Sequence, residues 1–144
     1  MTVLIDDHVL GRALTETLTD ADLDAIDEDK ISTTGCWYYR LCHAVRSTRI
    51  TGSLSAPFAN LPADLRDRSV ATLLHLPDEI ALVSLRDLAP TMASLVDHHP
   101  LNLLSLEALA AARATGAAVV IDRSNTGGPL GAALASEGFD VRVV

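Results

Sequence analysis

The chain has 144 residues, 49% of them hydrophobic, and its 19 Asp and Glu against 11 Lys and Arg give a formal net charge of -8. That length suits one domain with its own core, and the acidic balance argues against a general nucleic-acid binder, because any phosphate contact would need a local basic patch or a metal ion. Cys36 and Cys42 are too few and too close for a disulfide framework and lack zinc-site spacing; no apolar run reaches ~18 residues, and the start lacks the basic and apolar regions of a signal peptide, so a cytoplasmic protein without membrane contact is expected.

Two Phe, two Tyr and one Trp leave the core to Leu, Val, Ile and Ala, which favours helices packed on a sheet. The first element is a strand near residues 2 to 6, ending Val3-Leu4-Ile5-Asp6-Asp7. A helix from His8 to Leu18 follows, with Val9, Leu10, Ala13, Leu14 and Leu18 on one face. Thr19 can cap a second helix, Asp20 to Asp29, whose acidic first turn suits the helix dipole and whose buried side is expected to be Leu23 and Ile26. Lys30-Ile31-Ser32-Thr33 reads as a short extended link. Gly35 to Arg46 carries Trp37, Tyr38, Leu41, Cys42 and Val45 at helical spacing, and Arg49 to Pro57 reads as an exposed loop.

Pro62 opens a helix that runs to about His75. A strand from Ile80 to Leu85 leads into a helix beginning at Arg86, which His98-His99-Pro100 ends. The Ala-rich helix Ser105 to Thr115 stops at Gly116, and the apolar run Ala117 to Ile121 ends in Asp122. A turn at Gly127-Gly128 precedes a helix from Leu130 to Ser136, and Val141 to Val144 is a last strand. The alternation implies an α/β fold with a mainly parallel central sheet flanked by helices on both faces.

The two apolar runs that end in Asp6 and Asp122 lack alternation, as strands buried on both faces do. Ligands of open α/β sheets bind at the carboxyl ends of the strands, so both acids could share one site. Clustered carboxylates repel, and a divalent cation is the usual remedy.

The segment Leu4-Ile5-Asp6-Asp7-His8-Val9-Leu10 resembles the first strand and helix start of PIN domains. Leu104-Ser105-Leu106-Glu107-Ala108-Leu109-Ala110-Ala111-Ala112 is similar to the PIN motif in which an acidic residue precedes Ala-Leu on an Ala-rich helix. Ala117 to Asp122, Pro129-Leu130, Ala132-Ala133 and Gly138 match the strand, acid, helix and glycine turn that end that fold. The resemblance spans nearly the whole chain, as order and spacing more than identity, and implies one PIN-like domain over residues 1 to 144.

In that family three or four carboxylates hold Mg²⁺ or Mn²⁺, and the metal activates water to cleave RNA. Carried over, the resemblance makes Asp6, Glu107 and Asp122 the catalytic and metal-ligating acids. It also implies RNA as substrate, a small antitoxin-type protein as partner, and a homodimer. The second acid of the family falls where this chain has Tyr39 or Arg40, and neither suits a hard cation. An arginine there could pair instead with Asp6 or Glu107, with Arg123 as the next basic residue to do so.

Local roles compete with site roles. Asp6 and Asp122 also suit aspartates that hydrogen-bond the turn after a strand, and Glu107 suits a solvated first-turn helix acid. Asp7 reads as an N-cap and His8 as a surface residue, Asp97-His98-His99 as a solvated helix end, and Trp37-Tyr38-Tyr39 as core packing with polar tips reaching out. Two functions stay open: a metal-dependent endoribonuclease of toxin type with an incomplete acidic site, or a catalytically inactive PIN-like module that binds a partner or RNA. A small-ligand binder of flavodoxin-like topology is a third, distinguished by a pocket without clustered carboxylates.

Overall fold

A computed structural model describes residues 1–27, 29–46 and 52–144. Strand β1 (Thr2–Ile5) leads into α1 (Asp7–Leu14) and α2 (Asp20–Ile26); β2 (Lys30–Thr34) is followed by α3 (Gly35–Arg46), α4 (Ala56–Ala59) and α5 (Ala63–Leu74). Then come β3 (Ala81–Val83), α6 (Leu85–Leu95), α7 (Leu103–Thr115), β4 (Ala118–Ile121), a 3-10 turn (Arg123–Asn125), α8 (Leu130–Ser136) and β5 (Val141–Val143).

The five strands form one sheet in the order β3-β2-β1-β4-β5, and every neighbouring pair is parallel. The chain starts at the centre, moves outward through β2 and β3, then returns to the other side of β1 with β4 and β5. The order therefore reverses between β1 and β4, where Ile5 pairs with Val120, and a crevice opens beyond the strand ends at such a reversal.

Period-two alternation divides the core between the two faces. Val3, Ile5 and Val120 pack with Val9, Leu10, Ile26 and Leu41 on one side, whereas Leu4, Val119 and Ile121 pack with Trp37, Leu88, Leu109 and Leu134 on the other. Eight consecutive residues of α7, Ser105 to Ala112, are buried; the serine and four alanines among them let that helix lie close to its neighbours, which carries Glu107 inside.

Three local expectations are corrected. The link at residues 30 to 33 is a strand, β2, although its sequence is polar. Two of its hydroxyls donate back to the central strand, Ser32 Oγ to the Val3 carbonyl and Thr33 Oγ1 to the Ile5 carbonyl, each at 3.0 Å, so their burial is compensated. Leu23 is 52% exposed because α2 turns Asp22 inward. The expected loop from Arg49 to Pro57 is in part helix α4, which buries Phe58; residues 49 to 51 lie outside the described residues. Among the described residues no helix is long and apolar enough to cross a membrane.

Candidate functional site

Asp6 stands at the carboxyl end of β1, where the strand turns into α1. Its Oδ1 caps the helix by accepting from the Val9 amide at 3.0 Å, and its Oδ2 accepts from the Asp122 amide at 2.8 Å and from Asn125 Nδ2 at 2.6 Å. One buried carboxylate thus starts a helix and ties the end of β4 to β1. Asp122 caps the 3-10 turn in the same manner. Its Oδ1 accepts from the Ser124 amide (2.9 Å) and hydroxyl (2.5 Å), and its Oδ2 from Arg12 Nη1 at 2.7 Å. The structure brings Asp6 and Asp122 together, and each also makes the turn contacts its local sequence suggests.

Asp7 is not the N-cap. With Asp6 in that role, Asp7 becomes the first helical residue and is buried, and His8 is half-buried rather than a surface residue. Arg40, on α3, grips Asp7 with Nε and Nη2, and Nη2 also donates to Asn125 Oδ1 at 3.0 Å. The expected pairing of Arg40 with Asp6 or Glu107 is therefore corrected. Both oxygens of Asp6 already accept from amides, so the guanidinium meets the neighbouring acid. Among the described residues Arg123 makes no ion pair. Asn125 Nδ2 also approaches Asp7 Oδ1 (3.0 Å), and His8 Nδ1 lies 3.2 Å from the same oxygen.

A second clamp was not anticipated from the sequence. Arg12 donates from Nε and Nη2 to both oxygens of Asp22 at 2.7 Å each while Nη1 holds Asp122. Asp22 is the third helical residue of a capping box with Thr19, accepting from the Thr19 amide at 2.8 Å. The Thr-x-x-Asp spacing was visible, but it announces the cap and not the arginine.

Glu107 is fully buried and so is not a solvated helix acid. Its Oε2 accepts from the Cys36 amide at 2.7 Å, and among the described residues its Oε1 has no hydrogen-bond partner. A Cβ on Gly35 would lie 3.1 Å from that oxygen, so the glycine lets α3 begin close over the carboxylate. Glu107 stands apart from the compact group of Asp6, Asp7 and His8, whose candidate ligand atoms all lie within 4.8 Å of one another.

The charges follow from these partners. Burial raises the Asp6 carboxyl above its ordinary value, and its amide donors do not fully offset that. Burial also opposes ionisation of Asp7, but hydrogen bonds from His8 and Arg40 win and hold it low. For Asp122, burial is outweighed by Ser124 and Arg12, and the carboxyl falls to about 2. Burial works against the His8 cation, yet Asp7 raises it. Burial, then Glu107, pushes the Cys36 thiol up to about 11, so Cys36 is not an activated nucleophile.

A divalent ion prefers oxygens free to turn toward it, at roughly 2.0 to 2.6 Å. Both oxygens of Asp6, Asp7 and Asp122 already accept from N–H or O–H groups, and two of these acids face a guanidinium. Among the three acids of the resemblance only Glu107 Oε1 has no partner among the described residues. As arranged, the residues do not fit a Mg²⁺ or Mn²⁺ ion. No family model matches the chain, and no curated protein matches it.

Beside the acids lies a cleft of about 250 Å³. Its polar lining comes from Arg40, Asn102, Ser105, Ser124 and Asn125, and its rim from Gly127 and Gly128. The two glycines form the expected turn. Trp37 is buried beneath it, and Tyr39 projects from α3, 69% exposed, stacked on His43, so the aromatic run divides between core and surface.

Proposed function

We propose that the chain is a catalytically inactive PIN-like domain of the cytoplasm that acts as a binding module for a partner or RNA. The observation that carries this reading is Arg40. It occupies the region where the resemblance calls for a carboxylate, and it forms a two-pronged pair with Asp7. Arg12 does the same work for Asp22 and Asp122. Charge that a metal would neutralise is met here by side chains of the chain itself.

A second reading, the toxin-type ribonuclease dependent on Mg²⁺ or Mn²⁺, has one observation in its favour. Glu107 Oε1 is a buried oxygen without a partner among the described residues, and such a group calls for an explanation. Calorimetric titration of Mn²⁺ into the wild type and into Arg40→Glu, with an RNA-cleavage assay on both, separates the two readings. The binding-module reading expects no heat and no cleavage from the wild type and metal binding by the variant. Micromolar Mn²⁺ affinity in the wild type together with cleavage establishes the ribonuclease instead.

A further inference from the structure

The cleft beside the switch point differs in character from the acids that border it. Arg40 uses Nε and Nη2 on Asp7 and Asn125, but among the described residues its Nη1 donates to nothing, and its side chain is 41% exposed. Ser105 is only 7% exposed, lines the cleft, and its hydroxyl makes no hydrogen bond among the described residues. Its amide is already held by Asn102 Oδ1 at 2.9 Å, so the hydroxyl is not needed to cap the helix.

Ser105 lies in the first turn of α7, a helix of 13 residues. The amides of Leu103 and Leu104 there have no acceptor within the helix, and the positive end of the helix dipole adds to them. Across the cleft stand Gly127 and Gly128, where a Cβ would meet nothing within 4 Å. Donors predominate at this spot in an otherwise acidic protein, and the bordering carboxylates Asp7 and Asp122 are engaged by arginines.

We propose that this cleft is a phosphate site that takes a small phosphomonoester. A guanidinium edge, the cleft-facing hydroxyl of a buried serine and helix-terminal amides are the donors that phosphate oxygens accept from. The cleft of about 250 Å³ is open to solvent, so it holds the phosphate group while the remainder of the ester extends out of it. The proposal deepens the binding-module reading and rests on it, because a metal ion drawn to Asp6 and Asp7 would pull Arg40 out of its present position.

The test is calorimetry in EDTA with inorganic phosphate, 5′-AMP and adenosine, on the wild type, Ser105→Ala and Arg40→Lys, with thermal melts to establish folding. Phosphate and AMP are expected to bind the wild type and adenosine not to bind. Each substitution is expected to weaken both ligands by at least about tenfold, since a hydrogen bond to a charged group contributes about 1.5 kcal/mol or more. Arg40→Lys keeps the charge at a half-exposed position, so the proposal stays testable even where Ser105→Ala fails to fold. No binding of either ligand at millimolar concentration overturns the proposal, as do unchanged affinities in folded variants or exclusion of AMP. Phosphate binding in EDTA by a protein that also binds Mn²⁺ and cleaves RNA removes the binding-module reading and leaves the phosphate site standing.

Discussion

Arg12 and Arg40 close the two flanks of one cluster of acids, and they close them differently. On the β4 flank Arg12 is mostly buried and all three of its nitrogens donate, to Asp22 and Asp122. On the α3 flank Arg40 is half-exposed, and among the described residues its Nη1 donates to nothing. The first arginine is structural and the second has donor capacity facing a cleft. Stability should therefore respond mainly to the Arg12 flank, and ligand binding to the Arg40 flank.

Arg12→Ala is the largest expected effect, because it leaves the buried Asp22 and the partly buried Asp122 without a cation. Losing one partner of a buried pair costs about 3 kcal/mol, to be read from the urea midpoint at unchanged slope. Asp6→Ala comes next, at about 2 kcal/mol, because it removes the α1 cap, leaves the Asp122 amide unpaired and leaves Asn125 Nδ2 only its bond to Asp7. Arg40→Ala should destabilise less, by about 1 kcal/mol, because Arg40 is itself half-exposed and the buried Asp7 it leaves keeps Asn125 and His8 as partners. Equal losses at Arg12 and Arg40 would break the comparison.

Glu107→Gln sharpens it further. The amide oxygen can still accept from Cys36 while the orphaned carboxylate oxygen is replaced, so this variant should be neutral or more stable by up to ~1 kcal/mol. A clear loss of stability would show that Glu107 Oε1 has a partner in solution.

The pH dependence has opposite signs for different groups. Asp7, Asp22 and Asp122 are held below the ordinary value of 3.8. Their contribution is complete above that value and is lost as pH falls through their folded values, about 2 for Asp122. Asp6 is raised, so it works the other way and favours the folded state as acid protonates it. His8 is raised above 6.5, so its contribution is complete below 6.5 and disappears as pH rises through its folded value. Urea melts across pH should show that alkaline decline in the wild type and not in His8→Gln.

Much of the frame was legible in the sequence. Val3-Leu4-Ile5 and Val119-Val120-Ile121 are apolar without alternation, the mark of strands covered on both faces, and Thr19 capped α2 as its spacing indicated. Strand β2 was not legible, because Ser32 and Thr33 become compatible with burial only once their hydroxyls reach carbonyls on β1. The meeting of Asp6 and Asp122 could be anticipated from strand ends alone. The clamps could not, because whether Arg40 reaches Asp6 or Asp7 depends on one residue of helix register at the α1 cap. Arg12 to Asp122 joins positions far apart in the chain, and nothing local to either residue marks the pair.

Arginines, and not a metal ion, neutralise the acids at the switch point. Thermal melts of the wild type in EDTA and in about 1 mM Mn²⁺ test it directly, because a ligand that binds only the folded state stabilises it by RT ln(1 + [L]/Kd). Coincident melts are expected for the wild type and a higher midpoint in Mn²⁺ for Arg40→Glu. A wild-type midpoint that rises in Mn²⁺ and returns on chelation would contradict it.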